Sequence, residues 1–174
     1  MNLESILGDP RPMLSEIKRV CALLQMAPLA CDHICYRVAT VERYEFLKIE
    51  LARIAMLAAE TPVNGRPICI FTLHEPLVFE DQLIPCVELP APKAASGYAE
   101  GWEHAEYVTG MPLDEFRSRH PDVSFDLRAA NKEINPEIAL KVGDRYQAKF
   151  HTASILEVIE LETRLGLVKD VREC

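Results

Sequence analysis

Two short runs of the same design, separated by 71 residues, restrict the fold of this chain more than any other feature. They cover residues 32–38 and 102–108. If the first run is a β-strand, period-two alternation places His33, Cys35 and Arg37 on one face and apolar side chains on the other. We therefore predict a strand with one polar face and one apolar face that a helix must cover.

The second run repeats this pattern, with His104 and Glu106 on its polar face. An amphipathic segment follows each run, at residues 41–58 and 112–119, and predicts the covering helices. Runs rich in β-branched and aromatic residues come after both segments. The pattern predicts an α+β fold of two βαβββ modules, whose mixed sheets form a shared polar cup.

The predicted modules cover residues 31–92 and 101–165, and the second includes a C-terminal helix. Residues 1–30 are expected to form an N-terminal helical extension, with a helix beginning near Pro12. The segment 91–101, rich in Ala, Pro and Gly, is the predicted linker. The two modules together are expected to make one compact domain.

Short sequence patterns predict the turns, one helix cap and the remaining strands. Asn64-Gly65 and Gly143-Asp144 predict tight hairpins, and Ser154 with Glu157 predicts a capping box for the C-terminal helix. A loop is expected at residues 75–82. The remaining strands are predicted at residues 59–62, 68–74, 83–89, 123–130, 137–142 and 145–151.

The composition indicates a globular protein, because 49% of the residues are apolar and 26% are charged. A net charge of −8 disfavours nucleic acid or an anionic membrane surface as the partner. The first residues lack the features of a signal peptide, and no apolar run approaches the ~18 residues of a membrane span. We expect a soluble cytoplasmic protein that binds a small molecule, with its oligomeric state open and a monomer allowed.

The six cysteines show no CxxC spacing, and four of them lie in apolar strand or helix patterns. A chain of this length does not need disulfides for stability. We therefore predict reduced thiols that pack as small apolar side chains.

Histidine and glutamate residues on the first and last strands of each module are the candidate metal ligands. In the first module these are His33 and Glu88, and in the second they are His104 and His151. Three imidazoles and a carboxylate suit zinc, iron, nickel or manganese, and they leave positions for water or substrate. The alternative is that these histidines are ordinary core residues with satisfied hydrogen bonds.

Further charged side chains are expected to line the cup if the alternation holds. We interpret Glu106 and Lys149 as candidate catalytic residues for proton transfer, and Arg37, Arg66 and His74 as candidate substrate-binding residues. Structural ion pairs are the alternative for the charged residues, because buried charges require partners. For His74 the alternative is a rim histidine bonded to nearby backbone.

Two other side chains have simpler explanations than a functional role. Glu157 is a possible ligand, but its capping position accounts for it, and His120 is expected at the surface. The sequence contains no Ser-His-Asp grouping, P-loop or GxGxxG motif. Phosphoryl transfer and nicotinamide chemistry therefore have no support.

Four motifs resemble the bacterial YecM family: NGRPICIFTLHEP at 64–76, VELPAP at 87–92, EGWEHAEYV at 100–108 and KFH at 149–151. The resemblance covers roughly residues 12–165. The duplicated βαβββ layout is also similar to the vicinal oxygen chelate superfamily, which includes glyoxalase I, bleomycin-resistance proteins and extradiol dioxygenases.

This resemblance implies a metal held by His33, Glu88, His104 and His151, at which a substrate chelates through neighbouring oxygens. Superfamily enzymes often have glutamate where this chain has His151, which leaves the metal and the reaction open. The implied function is a metal-dependent isomerase, lyase or dioxygenase acting on a small oxygenated molecule. A non-catalytic protein that sequesters a small molecule is the alternative, and an interaction module that pairs through its strand edges is a third possibility.

Overall fold

The computed structural model of the chain describes residues 1–93 and 99–168, and within these ranges the strands form one mixed sheet. No helix in these two ranges has the length and apolar composition needed to cross a membrane. The elements in chain order are α1 (Leu3–Leu7), α2 (Arg11–Leu23), β1 (Ala30–Arg37), α3 (Val41–Leu51), β2 (Ala55–Val63), β3 (Arg66–Phe79), β4 (Gln82–Pro90), β5 (Gly101–Val108), α4 (Leu113–Ser118), β6 (Glu137–Val142), β7 (Tyr146–His151) and α5 (Ile155–Arg164).

The sheet has seven strands in the order β2-β3-β4-β1-β5-β7-β6. At its centre the first strands of the two halves, β1 and β5, are antiparallel neighbours, with Ile34 opposite Ala105. Each first strand also pairs in parallel with the last strand of its own half, β1 with β4 and β5 with β7. The prediction of two sheets therefore needs correction, because hydrogen bonding between β1 and β5 joins the halves into one continuous sheet.

The apolar face of this sheet is covered by the helices. Ile34 of β1 is fully buried in one cluster with Leu14 and Ile17 of α2 and with Tyr44 and Leu47 of α3. Burial of such side chains contributes about 1.5–3 kcal/mol each. The opposite, polar face of the sheet is left as the floor of the cup.

Helix α3 is shorter than predicted. Thr40 caps its start, accepting a hydrogen bond from the Arg43 backbone N–H at 3.1 Å. The helix ends at Leu51, and β2 begins at Ala55, which lies opposite Leu73 of β3. The apolar spacing continues past Leu51, but residues 55–57 pair with β3 in the sheet instead, and the helical prediction to residue 58 is wrong.

Strand β3 continues into the predicted loop at residues 75–82 and ends at Phe79. The proline at position 76 falls where the register with β4 shifts, between Thr72 and Leu77, and a β-bulge tolerates proline. Pairing then resumes, with Val78 opposite Leu83. The hairpin turns at residues 80–81, where Glu80 has a φ of 54°.

The strand predicted at residues 123–130 is absent from the described structure. Only Asp126 forms a bridge there, with Ala139 of β6. The Asp126 side chain accepts a hydrogen bond from the Arg128 backbone N–H at 3.0 Å, which turns the chain away from the sheet. The second half therefore contributes three strands instead of four.

Two turn and cap predictions are confirmed. Asn64 and Gly65 have φ values of 51° and 78°, as expected for a type I′ hairpin. The Ser154 and Glu157 side chains form the reciprocal capping box at the start of α5. The predicted linker at 91–101 falls partly outside the described residues.

Five cysteines lie within the described residues, and all are free thiols. Burial raises the pKa of Cys31 to about 12 and that of Cys69 to about 11. We expect these thiols to resist iodoacetamide in the native protein at mildly alkaline pH and to react once the protein is denatured. Mass spectrometry of the alkylated peptides measures this, and rapid native labelling of Cys31 would contradict the burial described here.

Candidate metal centre

The polar faces of β1, β4, β5 and β7 form the floor of a cup of about 690 Å³. Strands β2 and β3 make one wall, and the segment 126–139 makes the other. Helix α5 lines the cup with Ile155, Val158 and Ile159. The cup combines a charged floor with partly aliphatic walls.

Four side chains converge on this floor, two from each half of the chain. Their donor atoms all lie within 4.8 Å of one another, and the residues are His33, Glu88, His104 and Glu106. Ligands on opposite sides of a metal with 2.1 Å bonds are about 4.2 Å apart. The cluster thus needs little adjustment to surround one ion.

Four imidazole nitrogens near this cluster are buried without a hydrogen-bond partner, namely Nε2 of His33, His104 and His151 and Nδ1 of His104. Nε2 of His104 is 3.0 Å from Glu106 Oε1, but the two atoms lack hydrogen-bond alignment. Nε2 of His33 is 3.5 Å from Glu106 Oε2. A buried polar atom without a partner costs about 1–3 kcal/mol. These unsatisfied nitrogens beside carboxylates fit a divalent metal ion.

The other ring nitrogens of two histidines are held by hydrogen bonds. Nδ1 of His33 donates to Asp32 Oδ2 at 2.8 Å, and Nδ1 of His151 donates to the Ala153 carbonyl at 2.5 Å. Such bonds fix the ring orientation and leave Nε2 as the atom that faces the cluster. This is the arrangement expected of a histidine that binds a metal.

The strand registers reveal an approximate two-fold relation between the halves. His33 of β1 lies opposite Cys86 of β4, and His104 of β5 lies opposite Gln147 of β7. Two residues further along, Cys35 faces Glu88 in the first half. The corresponding pair in the second half is Glu106 and Lys149.

Lys149, rather than His151, is therefore the counterpart of Glu88. His151 lies two residues further along β7, opposite Val108, and forms a neighbouring group with Asp32 and His33. Its Nε2 is 3.4 Å from Glu106 Oε2. The expectation that His104 and His151 repeat the arrangement of His33 and Glu88 thus needs correction.

The charges on the floor stabilise one another. The Lys149 ammonium lies 2.8 Å from Glu106 Oε1. Burial by itself would lower the pKa of Lys149, but Glu106, Glu88 and Glu137 outweigh it and raise that pKa. Burial would likewise raise the pKa of Glu106, but Lys149 and His33 hold it well below its usual range. Glu106 is therefore ionised and Lys149 is protonated.

The two histidines of the cluster differ in charge. Burial and Lys149 lower the pKa of His104, which keeps it neutral. For His33, burial opposes the charged form, but the nearby Glu106 and Asp32 carboxylates raise its pKa well above the ordinary value. Without metal, a proton on His33 supplies positive charge to the cluster, and binding of a cation would release it.

Comparison with known proteins identifies the family of this chain. The family model described as "YecM protein" matches residues 3–162. The chain belongs to the YecM family. Protein YecM of Escherichia coli strain K12 is 32% identical over 167 residues, which covers 86% of both chains.

Two solved structures have folds similar to that of this chain. A structural-genomics structure titled Protein EC4020 has a TM-score of 0.77 and 29% identity, covering 93% of this chain and 97% of its own. A methylmalonyl-CoA epimerase has a TM-score of 0.51 and 14% identity, covering 72% of this chain and 97% of its own. The second likeness shows a shared fold, that of the vicinal oxygen chelate proteins.

The predicted substrate-binding residues separate into two places in this YecM-family protein. Arg37 and Arg66 line the cup, where Arg37 forms an ion pair with Glu103 and Arg66 Nη1 donates to the Ala91 carbonyl at 2.7 Å. His74 is exposed in a separate groove and does not reach the cup. We therefore leave His74 out of the proposed site.

Two acidic residues of the site, Asp32 and Glu103, were not predicted from the sequence. Each precedes a cluster histidine and lies at a register shift between β1 and β5. Strict period-two alternation along β1 and β5 places both residues on the apolar face of the sheet. A β-bulge changes the direction of the side chain at the bulged position. Asp32 contacts His33, and Glu103 Oε2 is 3.6 Å from His104 Nδ1. The signal that identifies them is an acidic residue directly before each histidine.

Asp32 also connects the cluster to helix α5, because its Oδ2 accepts the backbone N–H of Ile155 at 2.8 Å. We expect Asp32→Asn to weaken divalent metal binding by about 10–100-fold, since the partner that orients His33 loses its charge. Competition with a fluorescent chelator measures the affinity. Asp144→Asn, at a fully exposed turn, is the control, and equal affinities for both variants would contradict the role of Asp32.

Proposed function

We propose that this YecM-family protein is a metal-dependent enzyme that acts on a small oxygenated molecule by isomerase, lyase or dioxygenase chemistry. The observation that supports it is the convergence of unsatisfied histidine Nε2 atoms with the Glu88 and Glu106 carboxylates on the floor of a cup. Burial of polar atoms without hydrogen-bond partners would destabilise the fold of a protein that binds no ligand at this site.

In this proposal His33, Glu88 and His104 hold the ion, which is zinc, iron(II), nickel or manganese. These donors combine imidazole with carboxylate, a set that suits all four metals. A bound divalent ion would polarise an oxygen of the substrate and lower the pKa of bound water. Glu106 and His151 are the candidates for a fourth ligand, and the metal affinities of Glu106→Gln and His151→Ala would decide between them.

We assign proton transfer to Glu106 and Lys149. The Glu106 carboxylate is ionised and can accept a proton from a carbon or hydroxyl group held beside it. The Lys149 ammonium, 2.8 Å away, would stabilise negative charge that develops on the substrate. Arg37 lies on the same face of β1 as His33 and is proposed to contact the substrate near the rim.

Exchange of substrate hydrogen with solvent tests catalysis without knowledge of the product. The protein, loaded with each metal, is incubated in D₂O with a set of 2-oxo and 2-hydroxy acids and followed by proton NMR. We expect loss of the C–H signal next to the oxygens for at least one acid, and a fall of about 100-fold or more in Glu106→Gln.

Lys149→Met tests the second assignment in the same way, and Lys141→Met, an exposed residue of β6, is its control. Tight binding of an acid with no exchange or turnover would favour the sequestration alternative. Failure to bind any of the four metals would contradict the proposal as a whole.

A further inference from the structure

Arg66 lies on the face of β3 that lines the cup. Alternation puts Arg66, Ile68 and Ile70 on one face, and all three line the cup. Ile70 lies directly opposite Glu88 of β4. Ile70 is four residue steps along the strand from Arg66, a distance of about 13 Å. Arg66 is therefore at the far end of the cup wall.

The guanidinium of Arg66 is held in place by backbone. Its Nη1 donates to the Ala91 carbonyl at 2.7 Å, and the Ala91 N–H in turn donates to the Pro67 carbonyl at 2.9 Å. The type I′ turn at residues 64–65 fixes the start of the strand. This tether uses one of the five N–H donors of the guanidinium.

Arg66 differs from other cations of the cup in its partners. Arg37 is paired with Glu103, and Lys149 with Glu106. None of the ion pairs formed among the described residues includes Arg66. An arginine with a fixed position and open donors is suited to bind a carboxylate or a phosphate in a bidentate manner.

The surface between Arg66 and the cluster is mainly aliphatic. Ile68 and Ile70 cover it from β3, Thr61 and Ala59 of β2 lie beside them, and Ile159 faces the cup from α5. Polar groups of a ligand would find no hydrogen-bond partners on these side chains. A hydrocarbon segment would instead bury apolar surface against them, which is favourable. The cup thus has polar recognition at both ends and an apolar middle.

We infer that the ligand of this cup is an elongated anion. Its oxygen-bearing head lies at the cluster of His33, Glu88 and His104, its hydrocarbon segment lies along Ile68 and Ile70, and its carboxylate or phosphate end binds Arg66. The head-group part of this assignment rests on the proposed function, whereas the Arg66 part depends on the wall of the cup alone.

Isothermal titration of the metal-free protein with octanoate, octyl phosphate and octanol tests the Arg66 part. We expect at least one of the two anions to bind about 10–100-fold more tightly than octanol, because charged hydrogen bonds are lost with the neutral probe. The stronger of octanoate and octyl phosphate identifies the anionic group. Equal binding of all three probes would overturn the inference.

Three variants assign the preference to one side chain. Arg66→Gln should remove it while octanol binding stays unchanged, and Arg66→Lys should retain part of it. Arg53→Gln alters an arginine outside the cup that pairs with Glu50, and should have no effect. Thermal unfolding of each variant confirms that it folds. An unchanged preference in a folded Arg66→Gln protein would refute the assignment.

Manganese-loaded protein tests the whole ligand. Electron paramagnetic resonance reports whether manganese binds, and 2-hydroxy diacids of increasing chain length are compared with the matching 2-hydroxy monoacids. We expect the diacid to bind about tenfold or more tightly at one optimal length, and only when Arg66 is present. If manganese binds without this preference, the present inference fails alone. If manganese does not bind, the comparison is repeated with zinc, iron(II) and nickel. If none of the four metals binds, the proposed function fails, and the octanoate titration still decides on Arg66.

Discussion

Replacement of His104 by alanine is expected to abolish stoichiometric binding of a divalent metal. His104 contributes a buried Nε2 that has no hydrogen-bond partner and lies among the other donors of the cluster. Loss of a residue that only orients a ligand costs 10–100-fold in affinity, and loss of the ligand itself should exceed about 100-fold. Elemental analysis of protein dialysed against zinc or manganese measures the stoichiometry.

The chain supplies its own controls for this experiment. His74 and His120 lie outside the cup, His74 in a separate groove and His120 against the ring of Phe116. Alanine variants of both should bind metal as the unmodified protein does. Metal at 100 times the dissociation constant stabilises a protein by about 2.7 kcal/mol, so His104→Ala should also lose this increment in thermal unfolding. Full metal content in His104→Ala would remove the basis of the proposed function.

The second large effect is expected from Lys149→Met. Lys149 is the buried cation beside Glu106, and removal of one partner of a buried ion pair destabilises a protein by about 3–5 kcal/mol. We expect a loss of this size in the metal-free protein, measured by urea unfolding. A divalent ion on the same carboxylates should restore much of the stability, because it replaces the missing positive charge.

Lys141→Met serves as the reference for this variant. Lys141 is on the neighbouring strand β6, where its side chain is 73% exposed, and surface substitutions usually change stability by less than about 0.5 kcal/mol. If Lys149→Met is as stable as Lys141→Met, then Lys149 does not balance the charge of the cluster. If metal fails to restore a destabilised Lys149→Met, the ion does not bind at these carboxylates.

Alternation along the central strands was sufficient to place several site residues. His33 and Glu106 share the polar face of the sheet because they are direct partners in the regular stretch between the two register shifts of β1 and β5. Repetition of the first strand with its histidine also indicated the two-fold relation. Short-period patterns of this kind depend only on strand geometry, and they survive wherever the strand is regular.

The sequence-based predictions are wrong where the backbone departs from the regular two-residue period of a strand. Asp32 and Glu103 sit at bulges, which alternation does not anticipate. The offset of His151 depends on the register between β5 and β7, which is set by packing between distant segments. The missing strand near Asp126 was a turn stabilised by its own side chain. The bulges and the offset of His151 depend on pairing between distant segments, which a single sequence does not encode locally, whereas the turn at Asp126 is a local signal that the predicted strand overlooked.

The antiparallel contact of β1 and β5 has a consequence for how such a centre could originate. A single ancestral unit would have needed a second identical copy to complete the cluster, and identical copies would have carried the same residue at both equivalent places. In the present chain one place holds Glu88 and its equivalent holds Lys149. Because both halves belong to one polypeptide, the two places are free to hold different residues, and a carboxylate lies on one side of the centre while an ammonium group lies on the other.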